Sequence, residues 1–483
     1  MKPSYLLSKD VAKRMTLVHP PEPRKELLLS SFEDGVYIGK TRFLGTPVFW
    51  DPNKLINPHL AVMGITGAGK SYTVKTFLTR ASLIWKSNGI ILDWVGEYNS
   101  WVKQAGGLVI DLAKEKLNIL DLVGLPKESR IKQIMNALEI LADLKNYPNE
   151  KDEIEETIEQ IYENNQEKER NLKDVVWLLE EKGKKKAARL IKKFTVEGAD
   201  FFSGKTTLDI RKLTHSGLVC IDLHNLPSEE IRSLAGLTIL QYIKELMRIE
   251  GIADEEKRIK LFVVLDEAWK IAQDERSDVI TIVREGRKYK FALVVATQNP
   301  TDMHKTIFSN IGTIFVLRLV LREFRDYVRN SIGYSEFIDQ EIGRFGVGDA
   351  AINMIFSKRV GKSSTFLLEK IDGEEPIIKY TILGGKMEFE VEREQLIRML
   401  YELGLNEGQL SIVKNELTKN DGLISAEDLV ALLEKFGFAK SSIISFLREI
   451  GVDEKNLIQV FSLLKMKRAS KGVVNLVLEN DTG

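Results

Sequence analysis

At 483 residues the chain exceeds one ordinary hydrophobic core, so a large domain with insertions plus at least one smaller unit is expected. Lys+Arg and Asp+Glu balance at 70 each, which excludes a globally basic surface and leaves any contact with a polyanion to local patches. The single cysteine, Cys220, excludes an intrachain disulfide framework, and no run approaches the roughly 20 apolar residues of a membrane span.

Residues 1–34 carry Pro20, Pro21 and Pro23 among charges and read as an N-terminal arm with little core of its own. Alternating Val36, Ile38, Val48 and Trp50 around Gly39 and Gly45 predict a short hairpin, followed by a turn-rich approach from Asp51 to Pro58. Leu60 to Met63 then reads as a buried strand. The next stretch, G-I-T-G-A-G-K-S from Gly64 to Ser71, fits the phosphate-loop pattern, with a helical run behind it. Glycines at 64, 67 and 69 let successive N–H groups turn inward toward phosphate oxygens, and the helix N-terminus adds its positive end. The expected nucleotide contacts are Gly64, Ile65, Thr66, Gly67, Ala68, Gly69, Lys70, Ser71 and Tyr72. Lys70 would hold the β and γ phosphates of ATP, and Ser71 would ligate Mg2+.

Gly89 to Asp93 is a short apolar run ending in a carboxylate and continuing to Glu97 and Tyr98. Asp93 and Glu97 would face the ligand edge of an open parallel sheet, where they either position water near the metal or satisfy loop N–H groups. Leu108–Leu112 and Leu117–Leu122 are further apolar segments, after which residues 126–200 change to helical spacing dense in Glu and Lys, an insertion. Its basic part, Lys184, Lys185, Lys186, Arg189, Lys192 and Lys193, is either a solvated helix face or a contact for DNA or a partner. Leu218 to Leu223 is another strand, which makes Cys220 a buried strand residue.

Leu261–Leu265 followed by Asp266 and Glu267 has the form of a Walker B strand. Asp266 would serve the metal and Glu267 would orient or deprotonate the attacking water. The strand Phe291–Thr297 ends at Gln298, placed to meet the γ-phosphate or the lytic water. Arg284 and Arg287, between these two strands, are candidates for stabilising charge in a neighbouring subunit, and Arg318 after Thr313–Leu317 is a third. Near the C-terminus, Gly404, Gly437 and Gly451 each precede an apolar residue, the signature of helix ends, so residues 393–470 predict a bundle of short helices.

Asp93-x-x-Gly96-Glu97-Tyr98, Leu117 to Leu122, Asp266-Glu267-Ala268, Arg284 to Tyr289, Thr297-Gln298-Asn299-Pro300, Ser309-Asn310 and Leu317-Arg318-Leu319 together resemble the HerA/FtsK superfamily, over roughly residues 35–383. Archaeal HerA helicases and conjugative type IV secretion ATPases are the most similar branches. The resemblance implies an α/β, RecA-like P-loop NTPase core in two parts (35–125 and 201–385), interrupted by the helical insertion and followed by the C-terminal bundle. It further implies a homo-hexameric ring with ATP between subunits and DNA driven through a pore. Two departures stand out: Trp269 takes the place of a frequent His, and the 63 residues ahead of Gly64 do not accommodate the complete β-barrel of HerA helicases. They favour a DNA-transport ATPase, cytoplasmic or peripheral beneath a membrane channel partner. The alternatives are an end-resection helicase acting with a nuclease partner and a secretion ATPase for pilus or protein assembly.

Overall fold

In the computed structural model the described residues are 22–30, 34–85, 87–122, 124–164, 171–250, 259–267, 269–272, 274, 276–370, 393–419 and 426–449. The helix stop expected at Gly451 and the bundle beyond residue 449 lie outside them. So do Pro20 and Pro21 of the arm.

The apolar runs of the sequence become one eleven-stranded sheet. In chain order the strands are β1 (Val36–Thr41), β2 (Pro47–Trp50), β3 (Leu60–Met63), β4 (Asn88–Asp93), β5 (Leu108–Asp111), β6 (Leu218–Asp222), β7 (Leu261–Asp266), β8 (Phe291–Thr297), β9 (Thr313–Val316), β10 (Asp349–Met354) and β11 (Ser364–Lys370). Their spatial order is β2-β1-β11-β10-β9-β3-β8-β7-β4-β6-β5. From β9 to β5 neighbouring strands are parallel, whereas β10, β11, β1 and β2 continue the sheet antiparallel.

Continuous apolar strands are what a sheet covered on both faces requires. Side chains alternate between two hydrophobic clusters. Ala61, Met63, Val263, Leu265, Leu293 and Val295 enter one. Leu60, Val62, Phe262, Val264, Val294 and Ala296 enter the other. The second face is sealed by α1 (Lys70–Trp85), the helix after the phosphate loop, where Phe77 meets the rings of Trp50 and Phe262 edge-on. The hairpin therefore does more than precede β3: Trp50 anchors α1 to the sheet. The short α2 (Asn99–Gln104) lies on this same side, with Trp101 and Val102 buried in that cluster.

The opposite face carries the insertion. Its helices α3 (Lys127–Leu141), α4 (Pro148–Asn164), α5 (Leu172–Glu181) and α6 (Lys185–Lys192) are followed, after β6, by the long α7 (Glu229–Glu250). On α3 the buried residues Ile131, Ile134, Met135 and Leu138 recur at helical spacing, and Pro126 opens the helix where no donor is needed. These side chains share one cluster with the sheet and α7, so the insertion is an outer layer of the main core. Arg130, fully buried, joins the layers: its guanidinium donates to the Ile119 carbonyl (2.7 Å), Gln133 (2.9 Å), Gln241 (3.1 Å) and the Tyr242 hydroxyl (3.1 Å).

Part of the expected N-terminal arm is also packed. Leu28, in a single helical turn, is fully buried, Ser30 donates to Asp51 at 2.8 Å, and the Glu22 carboxylate accepts from the Phe43 and Leu44 amides. Past the Walker B strand come α8 (Trp269–Ala272), α9 (Asp278–Glu285), α10 (Lys305–Asn310), α11 (Arg322–Ile332) and α12 (Glu336–Arg344). The C-terminal helices α13 (Arg393–Glu402), α14 (Glu407–Lys419), α15 (Ala426–Lys435) and α16 (Lys440–Glu449) form a bundle with a core of its own, as expected. Gly404 and Gly437 end α13 and α15 with φ of 104° and 91°.

Candidate active site

The phosphate loop, the Asp93 loop, Asp266-Glu267 and Gln298 converge where the parallel strands end. Met63 pairs with Thr297 on one side and Val316 on the other, and Asp93 pairs with Asp266 and with Asp222. The loop after β3 is tied to both neighbours: the Gly64 amide donates to the Thr297 carbonyl (3.3 Å) and the Ile65 amide to the Arg318 carbonyl (3.0 Å). A Cβ on Gly64 would stand 2.8 Å from Cβ of Leu317, so the loop passes too close to β9 for any side chain there. Gly67 and Gly69 take φ of 76° and 96°, the left-handed turns that aim successive amides inward. Ala68 is buried beneath them, Thr66 is exposed at the crest, and Lys70, Ser71 and Tyr72 form the first turn of α1.

Lys70 and Glu267 meet, with Nζ 3.5 Å from Oε1 and both side chains largely shielded. In the sheet β8 lies between β3 and β7. Gln298 therefore stands between the lysine and the acid pair. Its Oε1 accepts from Thr66 Oγ1 at 2.6 Å, and its backbone N–H donates to Glu267 Oε2 at 3.4 Å. Glu267 sits at φ 55°, a conformation that costs a side-chain-bearing residue energy. Its own amide still donates to the Ala296 carbonyl, so the strand is held to its last residue while the carboxylate swings toward Lys70.

Asp266 is 2% exposed, and its Oδ1 has no hydrogen-bond partner. Burial first, and the neighbouring Glu267 carboxylate second, push it up to about 7. An orphaned, buried carboxylate oxygen beside a hydroxyl-bearing P-loop residue is a donor set suited to a hard divalent cation. The turned-in amides and Lys70 suit a polyphosphate.

The Asp93–Tyr98 loop divides the two readings of its acids. Asp93, the last residue of β4, serves the loop: its carboxylate accepts from the amides of Val95, Gly96, Glu97 and Tyr98 at 3.1, 2.7, 3.3 and 2.9 Å. Glu97 does face the site, accepting the hydroxyl of Ser71. Tyr98, to which the motifs assign no role, is fully buried with its hydroxyl beside Asp266 and Ser71. Its only signal was an aromatic at the end of a short loop after an acid.

The arginines lie elsewhere. Arg284 and Arg287 precede β8 and so occupy the edge of the sheet opposite the phosphate loop, exposed, with Arg287 donating to the Ile56 carbonyl. They do not reach the chain's own Lys70. Arg318 is exposed on the phosphate-loop edge, at the end of β9. Three cations of the insertion's basic cluster are paired within it, Lys184 with Glu153 and Glu156, Lys186 with Glu150 and Lys192 with Glu180, while Lys185 and Arg189 are exposed. The Trp269 side chain lies outside the described residues.

A family model described as the central domain of the helicase HerA matches residues 36–243. The chain is 25% identical over 292 residues to the DNA import protein CedB of Sulfolobus acidocaldarius, which covers 58% of this chain and 47% of that protein. It is 24% identical over 372 residues to the DNA double-strand break repair helicase HerA of Pyrococcus furiosus, covering 66% of this chain and 67% of that one. Among solved structures, VirB4 of Thermoanaerobacter pseudethanolicus superposes with a TM-score of 0.57 at 20% identity, over 71% of this chain and 97% of that one. The chain thus spans about half the length of the DNA import protein it matches. Together these matches support the resemblance carried by the motifs: the fold is that of a RecA-like P-loop NTPase, and the sequence is similar to the HerA central domain. Among the described residues no helix is long and apolar enough to cross a membrane.

Proposed function

We propose that this chain binds ATP and Mg2+ at Gly64–Tyr72, hydrolyses the nucleotide, and couples turnover to the movement of DNA as a hexameric ring in a conjugation- or import-type process. The observation that carries the catalytic part is the convergence of Lys70, Gln298 and Glu267 on three consecutive strand ends. The similarity to a DNA import protein supports the transport part.

The chemistry follows from the positions. An arriving triphosphate offers Lys70 a stronger partner than Glu267, so the ammonium shifts to the β and γ oxygens and the carboxylate is released to a water. Glu267 takes a proton from that water as its oxygen attacks the γ-phosphorus. The bond to the β–γ bridging oxygen breaks, leaving ADP and phosphate. The Gln298 amide, anchored by Thr66, fixes where the water or γ-phosphate rests. Mg2+, when bound, neutralises the developing charge on the phosphate oxygens, and Ser71 Oγ with Asp266 would hold it. Arg284 and Arg287, remote from their own site, suit a neighbouring subunit's γ-phosphate; Arg318 suits its own.

The test is ATP turnover with and without double- and single-stranded DNA, in the wild type and in Lys70→Ala and Glu267→Gln. Lys70→Ala should lose nucleotide binding or turnover, whereas Glu267→Gln should bind and not hydrolyse. Turnover indifferent to DNA would overturn the translocase reading in favour of an ATPase for pilus or protein assembly. The similarity to HerA over two thirds of the chain favours, as the second reading, a helicase whose unwinding is stimulated by a nuclease partner.

A further inference from the structure

The loop from Asp93 to Tyr98 is built with more care than a connection needs. Asp93, itself fully buried, caps four consecutive amides, and Gly96 at φ 87° lets the chain double back beneath them. The outcome is a fixed position for two side chains. Glu97 accepts the Ser71 hydroxyl at the mouth of the site. Tyr98 is driven inward, pressed against Trp101 with ring centroids 6.4 Å apart and overlaid by Lys75 Nζ at 5.5 Å.

A fully buried phenol ordinarily finds a hydrogen-bond acceptor. The Tyr98 hydroxyl has none within hydrogen-bonding geometry, nor has Asp266 Oδ1, and the two groups are neighbours in the same closed space, with Ser71 beside them. A donor and an acceptor side by side, each buried and without a partner, mark a contact poised to form.

We propose that Tyr98 is a positioning residue for the metal: its hydroxyl donates to one oxygen of Asp266, turning the other toward the cation held with Ser71. This inference rests on the nucleotide and Mg2+ reading of the site. The hydroxyl also fixes which acid serves the metal. The Glu97 and Glu267 carboxylates both act on Asp266, and a donor aimed at Asp266 alone holds that carboxylate on the Ser71 side while Glu267 keeps its place beside Lys70. The Asp93 cap acts through Tyr98, whose amide it holds at 2.9 Å.

The test is Tyr98→Phe, which removes one oxygen and leaves the ring. Binding of a fluorescent non-hydrolysable ATP analogue is measured in EDTA and across a Mg2+ titration, with thermal unfolding recorded in parallel. Tyr98→Phe should raise the half-saturating Mg2+ concentration about tenfold, the loss of one hydrogen bond to a charged group, while affinity in EDTA stays at the wild-type value. In an Asp266→Asn background the same change should add less than about twofold, because the residue it acts through is gone. A Mg2+ midpoint unchanged by Tyr98→Phe overturns the proposal. So does an equal loss of affinity in EDTA, or loss of the wild-type thermal transition, either of which makes the hydroxyl a packing element. If the wild-type chain itself shows no Mg2+-dependent binding, the nucleotide reading fails instead, and the two failures are distinct.

Discussion

Glu267 combines the catalytic carboxylate with a left-handed backbone, and this makes a stability prediction whose sign is unusual. At φ 55° a residue bearing Cβ pays about 1–2 kcal/mol that glycine does not. Glycine in turn loses about 0.5–1 kcal/mol more chain entropy on folding than alanine. Glu267→Gly and Glu267→Ala remove the same carboxylate, the same ion pair with Lys70 and the same repulsion of Asp266, so those effects cancel in the comparison. What remains favours glycine by about 0.5–1 kcal/mol, roughly 1 °C in Tm for a core of this size. At Glu323, exposed in α11, the same pair should run the other way, with alanine ahead by about 1 kcal/mol. Replicate scanning calorimetry without nucleotide or Mg2+ measures both pairs. Alanine equal to or above glycine at position 267 would refute the claim that the catalytic position stores backbone strain.

Other expected outcomes concern charge and packing. Asp266 is raised to about 7 from 3.8, so the metal-free folded chain keeps a proton that the unfolded chain releases. Its stabilisation is complete below about pH 4 and is lost as pH rises through about 7; the Tm of the wild type minus that of Asp266→Asn should fall over that window, and a flat difference would contradict it. Arg130→Ala strands the Ile119 carbonyl, Gln133, Gln241 and Tyr242 inside the core and should cost about 3–5 kcal/mol in denaturant unfolding; a loss under about 1 kcal/mol would mean that the layers do not depend on it. Arg284→Ala and Arg287→Ala should depress turnover while leaving nucleotide affinity within about threefold. Titrating either into a Lys70→Ala chain should restore part of the activity through mixed interfaces, and no recovery at any ratio would count against action across subunits.

What could be read from the chain alone was local. The phosphate loop is recognisable because Gly64, Gly67, Gly69 and Lys70 act through the backbone of eight consecutive residues. The strands of the parallel sheet announce themselves as apolar runs because burial on both faces leaves no polar position. Helix ends at Gly404 and Gly437 follow from one dihedral angle each. Whatever depended on distant partners was not legible. That β8 separates β3 from β7 is a matter of pairing between segments some 200 residues apart, and no local pattern encodes it. Asp93 and Glu97, four residues apart and both acidic, part company because one is buried under its own loop and the other meets Ser71. The pairing of Lys184 and Lys186 with α4's glutamates likewise arises only when folding sets that helix against the basic run. Ionisation and hydrogen bonding are properties of surroundings, and the surroundings of Asp266 and Tyr98 exist only once the sheet has closed.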